Sequence, residues 1–188
     1  MNTGLTKTKL QEVMNETEEG VEYFNSICDQ MVSDFTQDLD NVMIKVNNDT
    51  VNSDASDYQL EKYVLELSNI LYFLGQRLET MGIKDDISKL NAKQAYNNAY
   101  LNAPVEDGKK KPTVAELSAM AEDESKYETI MNTIYSRAYR QIKFKIDAAY
   151  EMLASLRKII SKRMQEAQLS MQRSVGTLAM GTDTEEVY

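Results

Sequence analysis

Residues 113–175 contain neither glycine nor proline, and apolar side chains return along them at steps of mostly three and four. The economical solution for so long a stretch without a helix breaker is a continuous α-helix. At about 1.5 Å per residue it would run to about 90 Å. Its stripe is Leu117, Met120, Tyr127, Met131, Ile134, Ala138, Ile142, Ile146, Ala149, Leu153, Leu156, Ile160, Met164, Ala167 and Met171. That spacing is the seam of a bundle or coiled coil. Thr113 and Glu116 give the start a capping-box signature, and the polar run 122–125 marks a place for a bend. Both prolines, Pro104 and Pro112, lie in the preceding segment 102–112 with an Asp-Gly turn signal between them, which reads as a loop.

The rest of the chain carries the same helical period. Residues 8–46 read as one helix, with Met14, Val21, Cys28, Phe35 and Val42 seven apart and Thr17, Phe24 and Met31 between them. Gly20 weakens that seam early and Asp38 interrupts it late, after which Leu39 and Val46 take over. The segment 47–55 is rich in turn formers and reads as a loop, with Asp54 near a plausible cap. A second helix is expected over 56–81 through Leu60, Tyr63, Val64, Leu67, Ile70, Leu71, Leu74 and Leu78, closed by Gly82. Asp85 or Asp86 caps a third over 85–101, or the second continues with a kink at Met81-Gly82. There is no strand-like alternation of useful length and no internal repeat. The expected fold is therefore all-α, a long-helix bundle of three to four helices in one domain over 1–174. A flexible acidic tail over 175–188 completes it.

Composition narrows the chemistry more than the pattern does. The chain has no histidine, no tryptophan and one cysteine. Without histidine there is no Ser-His or Cys-His nucleophile pair, no imidazole metal site and no His general base. Cys28 alone makes neither an intrachain disulfide nor a thiolate zinc cluster, and it sits on an apolar stripe, where it reads as a small buried hydrophobe. The acidic pairs Glu18-Glu19, Asp38 with Asp40, Asp85-Asp86 and the run Glu122-Asp123-Glu124 point in diverging directions on a helix, so a solvated face accounts for them. Glu106, Asp107 and Lys109 lack the flanking strands of a nuclease site and read as a turn. No glycine-rich phosphate loop is present. The chain reads as non-enzymatic, without metal or cofactor. The eleven methionines read as flexible core filler, or as an adaptable partner surface.

The net charge of −9 is unevenly divided. Residues 1–60 carry −9 and residues 61–135 carry −3, while residues 136–174 carry +6 and the tail carries −3. One basic stretch therefore lies inside an acidic protein. Arg137, Arg140, Lys143 and Lys145 precede Arg157, Lys158, Lys162, Arg163 and Arg173 on the last helix. Tyr135 and Tyr139 lie in the first group, placed to stack on unpaired bases or to pack inward. These cations either neutralise phosphates in a sequence-independent, salt-sensitive way or pair with the acidic first helix. No apolar run approaches the length of a membrane span, and the N-terminus lacks a signal-peptide core, so a cytoplasmic protein is expected.

The stretch from Lys111-Pro112-Thr113-Val114-Ala115-Glu116-Leu117 to Ser161-Lys162-Arg163-Met164 resembles the phage recombination mediators of the T4 type. The likeness covers 90–165. It rests on residues 121–123, Tyr135-Ser136-Arg137-Ala138-Tyr139, Asp147-Ala148-Ala149 and Arg157-Lys158-Ile159-Ile160. The resemblance implies a small helical homo-oligomer, ring-like, that binds single-stranded DNA. It further implies loading of a recombinase onto strands covered by a single-strand-binding protein, in the cytoplasm of a phage-infected host. Those mediators carry a Lys/Arg motif before the central loop; the matching place, 93–100, keeps only Lys93, which leaves the bases of the last helix as the contact candidates. Two other readings fit the same residues: a coiled-coil assembly protein of a phage particle, and a small acidic inhibitor of a host protein acting by helix-in-groove binding or DNA mimicry.

Overall fold

The computed structural model describes residues 17–51, 55–103 and 112–180, with side chains over 20–50, 55–103 and 112–173. Within these residues the chain is all-α, without a strand. Four helices follow in order: α1 Thr17–Val51, α2 Asp57–Leu101, α3 Val114–Glu124 and α4 Lys126–Met180. The chain divides into two compact units, one of residues 1–37 and 72–146, the other of 38–71 and 147–188. Three of the helices contribute a segment to each.

Several boundaries differ from the sequence expectation, each for a local reason. α1 continues through 47–51, where a loop was expected. Thr50 satisfies its hydroxyl on the Val46 carbonyl at 2.7 Å, so this polar stretch stays within the helix. The cap of α2 is Ser56, whose Oγ accepts from the Gln59 backbone N–H while Gln59 Oε1 accepts from the Ser56 N–H, a capping box one helix earlier than the one anticipated. Asp54 lies outside the described residues. Of the two alternatives at Met81-Gly82, separate helices over 56–81 and 85–101 or a continuation, the continuation holds: α2 runs from Asp57 to Leu101. A Cβ at Gly82 would stand 3.4 Å from the Tyr139 ring, so the glycine is where α2 receives a neighbour's aromatic.

The helix expected over 113–174 is broken once. Thr113 caps α3 as anticipated, accepting from the Glu116 N–H, and Glu116 Oε2 accepts from the Thr113 N–H at 2.7 Å. Those hydrogen bonds hold the Glu116 carboxyl below the ordinary carboxylate range. α3 ends at Ser125, whose N–H bonds to the Ala121 carbonyl, and α4 starts at the next residue. Ser125 is buried, and its Oγ donates to the Glu122 carbonyl. The expected tail from 175 is helical as far as Met180, and 181–188 lie outside the described residues, as do 8–16 of the expected first helix.

In the first unit the core is Cys28, Val32, Leu74, Met81, Ala121, Ile134, Ala138, Ile142 and Ile146. The α2 and α4 segments run antiparallel there, since Ser88 meets Asn132, Asp85 meets Ser136 and Gly82 meets Tyr139. In the second unit Leu39, Val42, Val46, Leu60, Leu67, Leu71, Ala149, Leu153 and Leu156 form the core. Tyr63 donates to the Asp49 carboxylate and ties α2 to α1, and this bond raises the Tyr63 pKa. The face of α1 that is buried runs Cys28, Val32, Thr36, Leu39, Val42 and Val46, while Val21 on the expected seven-residue repeat is exposed. That path follows the 3.6-residue period of an α-helix and not a strict seven-residue repeat.

Candidate nucleic-acid interface

The two halves of the basic stretch belong to different units and are taken separately. In the first unit Ile142 and Ile146 turn one face of α4 into the core, which sends Arg137, Arg140 and Lys143 outward. None of the three has an ion pair among the described residues. Arg140 Nε donates to the Ser136 carbonyl at 3.2 Å, a bond that steadies the side chain along its own helix. Phe144 follows Arg140 by four residues and Arg137 by seven, so the three share a face. Its ring is 74% exposed.

Other members of this group point elsewhere. Lys145 is half-buried, and its Nζ donates to Thr36 Oγ1 on α1 at 3.2 Å. Tyr135 and Tyr139 are half-buried. The Tyr139 ring lies against α2 at Gly82, which makes it packing. The exposed ring of this group is Phe144. Its signal in the sequence is an aromatic two residues off the buried stripe, among three cations, where periodicity assigns it no packing role.

Behind this surface lies a buried polar cluster. Asp85 accepts from Ser136 Oγ and from Lys89 Nζ at 2.6 Å, and Ser88 Oγ donates to the Asp85 carbonyl at 2.7 Å. Burial pushes the Asp85 carboxyl upward, but the bonds from Lys89 and Ser136, with the charges of Lys89 and Arg140, outweigh it and hold the pKa below the ordinary value. The acid pair Asp85-Asp86 is thus split: Asp85 locks α2 to α4 and Asp86 is exposed. Cys28 is buried nearby, its thiol pKa raised by desolvation and by the charge of Asp29 against an opposing pull from Arg137.

In the second unit Arg157, Lys158 and Lys162 are exposed. Arg157 and Lys158 have no ion pair among the described residues. Lys162 meets Glu166 at 3.8 Å on the open surface, worth at most a few tenths of a kcal/mol at about this exposure. Tyr150 is 52% exposed and seven residues before Arg157, on the same face. Arg163 is committed within the fold: its Nη1 donates to the Ala55 carbonyl at 2.8 Å and to Asp57 Oδ1 at 2.9 Å, clamping the start of α2. Of the residues expected from the sequence, Arg137, Arg140, Lys143, Arg157, Lys158 and Lys162 are exposed, Lys145 and Arg163 are held in internal contacts, and Tyr135 and Tyr139 are half-buried, while Phe144 and Tyr150 are exposed rings beside these bases.

Among the described residues no cluster of acids or Cys28 is placed to hold a metal ion. No helix there is long and apolar enough to cross a membrane. No family model, no curated protein and no solved structure matches the chain.

Proposed function

We propose that the chain is a non-enzymatic helical accessory protein that binds single-stranded DNA through the outer face of α4. The observation that supports this most directly is the pairing, in each unit, of exposed cations without ion-pair partners and an exposed aromatic ring: Arg137 and Arg140 with Phe144, Arg157 with Tyr150. Cations track the phosphates while a ring stacks on a base, and both are indifferent to sequence. The resemblance to phage recombination mediators extends the reading to recombinase loading, with a recombinase and a single-strand-binding protein as partners.

The test is fluorescence anisotropy with a labelled single-stranded oligonucleotide at low salt. Wild type binds, and a variant with Arg137, Arg140, Lys143, Arg157, Lys158 and Lys162 all changed to Glu does not, while its circular dichroism stays helical. The charge-neutral pair Phe144→Ala and Tyr150→Ala weakens binding about tenfold or more, since stacking contributes about 1–3 kcal/mol per base. A wild type that ignores the oligonucleotide at low salt defeats the reading, as does an aromatic pair of substitutions without effect.

A further inference from the structure

The outer face of α2 carries a second apolar stripe, opposite the one that packs into the core of the first unit. Ile83 is 59% exposed, Ile87 50%, Leu90 66% and Leu101 78%. With Gln94 and Asn97 they recur at steps of four and three, a heptad seam of six layers, all exposed, at whose end Asn97 and Leu101 border Ser118 of α3. A helix apolar on two opposite faces has a second face to pack, and Ile83, Ile87 and Leu90, exposed on successive turns, mark it as an association site.

We propose that this face pairs with the same face of a second copy of the chain, in parallel and in register. The seam itself selects the occupant. In register, Ile83, Ile87, Leu90 and Leu101 each meet their own kind, and Gln94 and Asn97 meet an identical amide with which to hydrogen-bond. An antiparallel pairing centred on Ile87 and Leu90 sets Ile83 against Gln94, burying an amide on an alkyl group. The flanks agree: Glu79 precedes the seam position Thr80, Lys84 follows Ile83, and both side chains are exposed. In the parallel pair, Glu79 of one copy lies beside Lys84 of the other, twice over by the two-fold symmetry. This surface is on α2 and is independent of the DNA reading of α4.

Analytical ultracentrifugation of the full chain tests it. Wild type sediments as twice the 21.4 kDa chain mass, and the exposed-site change of Ile87 and Leu90 to Asp yields monomer with unchanged helicity. Glu79→Lys and Lys84→Glu each weaken the dimer, and combining them restores it. A monomeric wild type overturns the proposal, and so does a dimer that survives the double Asp change. Restoration by exchanging Asp86 and Lys93 in place of Glu79 and Lys84 overturns the parallel register. Oligonucleotide binding by the monomeric variant is measured alongside, so that failure here is distinguishable from failure of the α4 reading.

Discussion

At the scale of single residues, Asp85 ties α2 to α4 in the first unit. Its carboxylate collects Lys89 and Ser136 while Ser88 collects Asn132, so removing the charge leaves donors from two helices short of an acceptor. Asp85→Asn is expected to cost about 2 kcal/mol at neutral pH, the size of a hydrogen bond to a charged group. Because the folded pKa is depressed below the ordinary 3.8, this contribution is complete above that value and is lost as pH falls through the folded pKa. Urea denaturation of both proteins from pH 7 to pH 3 should therefore show a gap that narrows below about pH 4; a gap constant across the range would remove the charge from the explanation. Asp85 was legible in the sequence only as an acid near a helix start. What it does depends on Ser136, fifty-one residues away, and no local pattern encodes that pairing.

Among the elements, α4 shows what periodicity does and does not convey. The stripe read from the sequence is correct as a geometrical line, and from Ile134 to Leu156 it is the buried face. Further along the same line Met164 is 59% exposed and Met171 68% exposed. Spacing identifies which residues share a side of a helix; burial depends on whether another helix reaches that far. The same distinction explains why the second stripe of α2 and the rings of Phe144 and Tyr150 were missed, since an apolar residue off the chosen line has no assigned role. The caps were more legible. Thr113 and Glu116 are three residues apart and satisfy each other locally; Ser56 and Gln59 do the same at the start of α2, where Asp54 was the expected cap. Two substitutions on the one stripe make the point measurable. Ile142→Ala removes a fully buried side chain and should cost about 3 kcal/mol, whereas Met164→Ala should stay within about 0.5 kcal/mol. Equal losses in chemical denaturation would place Met164 in the core.

For the whole molecule, the net charge of −9 sets the terms on which any nucleic acid is met. An acidic protein repels a polyanion at long range, so binding has to come from local cation clusters and should fade steeply as salt rises. Single-stranded DNA loses about 0.7 in the slope of log K against log salt for each phosphate neutralised. If Arg137, Arg140, Lys143, Arg157, Lys158 and Lys162 each engage one phosphate, the wild-type slope is about −4. Changing the first three to Gln should bring it to about −2, and changing the last three should do the same. The two triples thereby report on the two units one at a time. Lys145→Gln and Arg163→Gln serve as the internal comparison, because their cations are spent on Thr36 and on Asp57 with Ala55; these changes should lower stability and leave the slope near −4. A slope that follows Lys145 and Arg163 instead of the six exposed bases would move the interface off the outer face of α4.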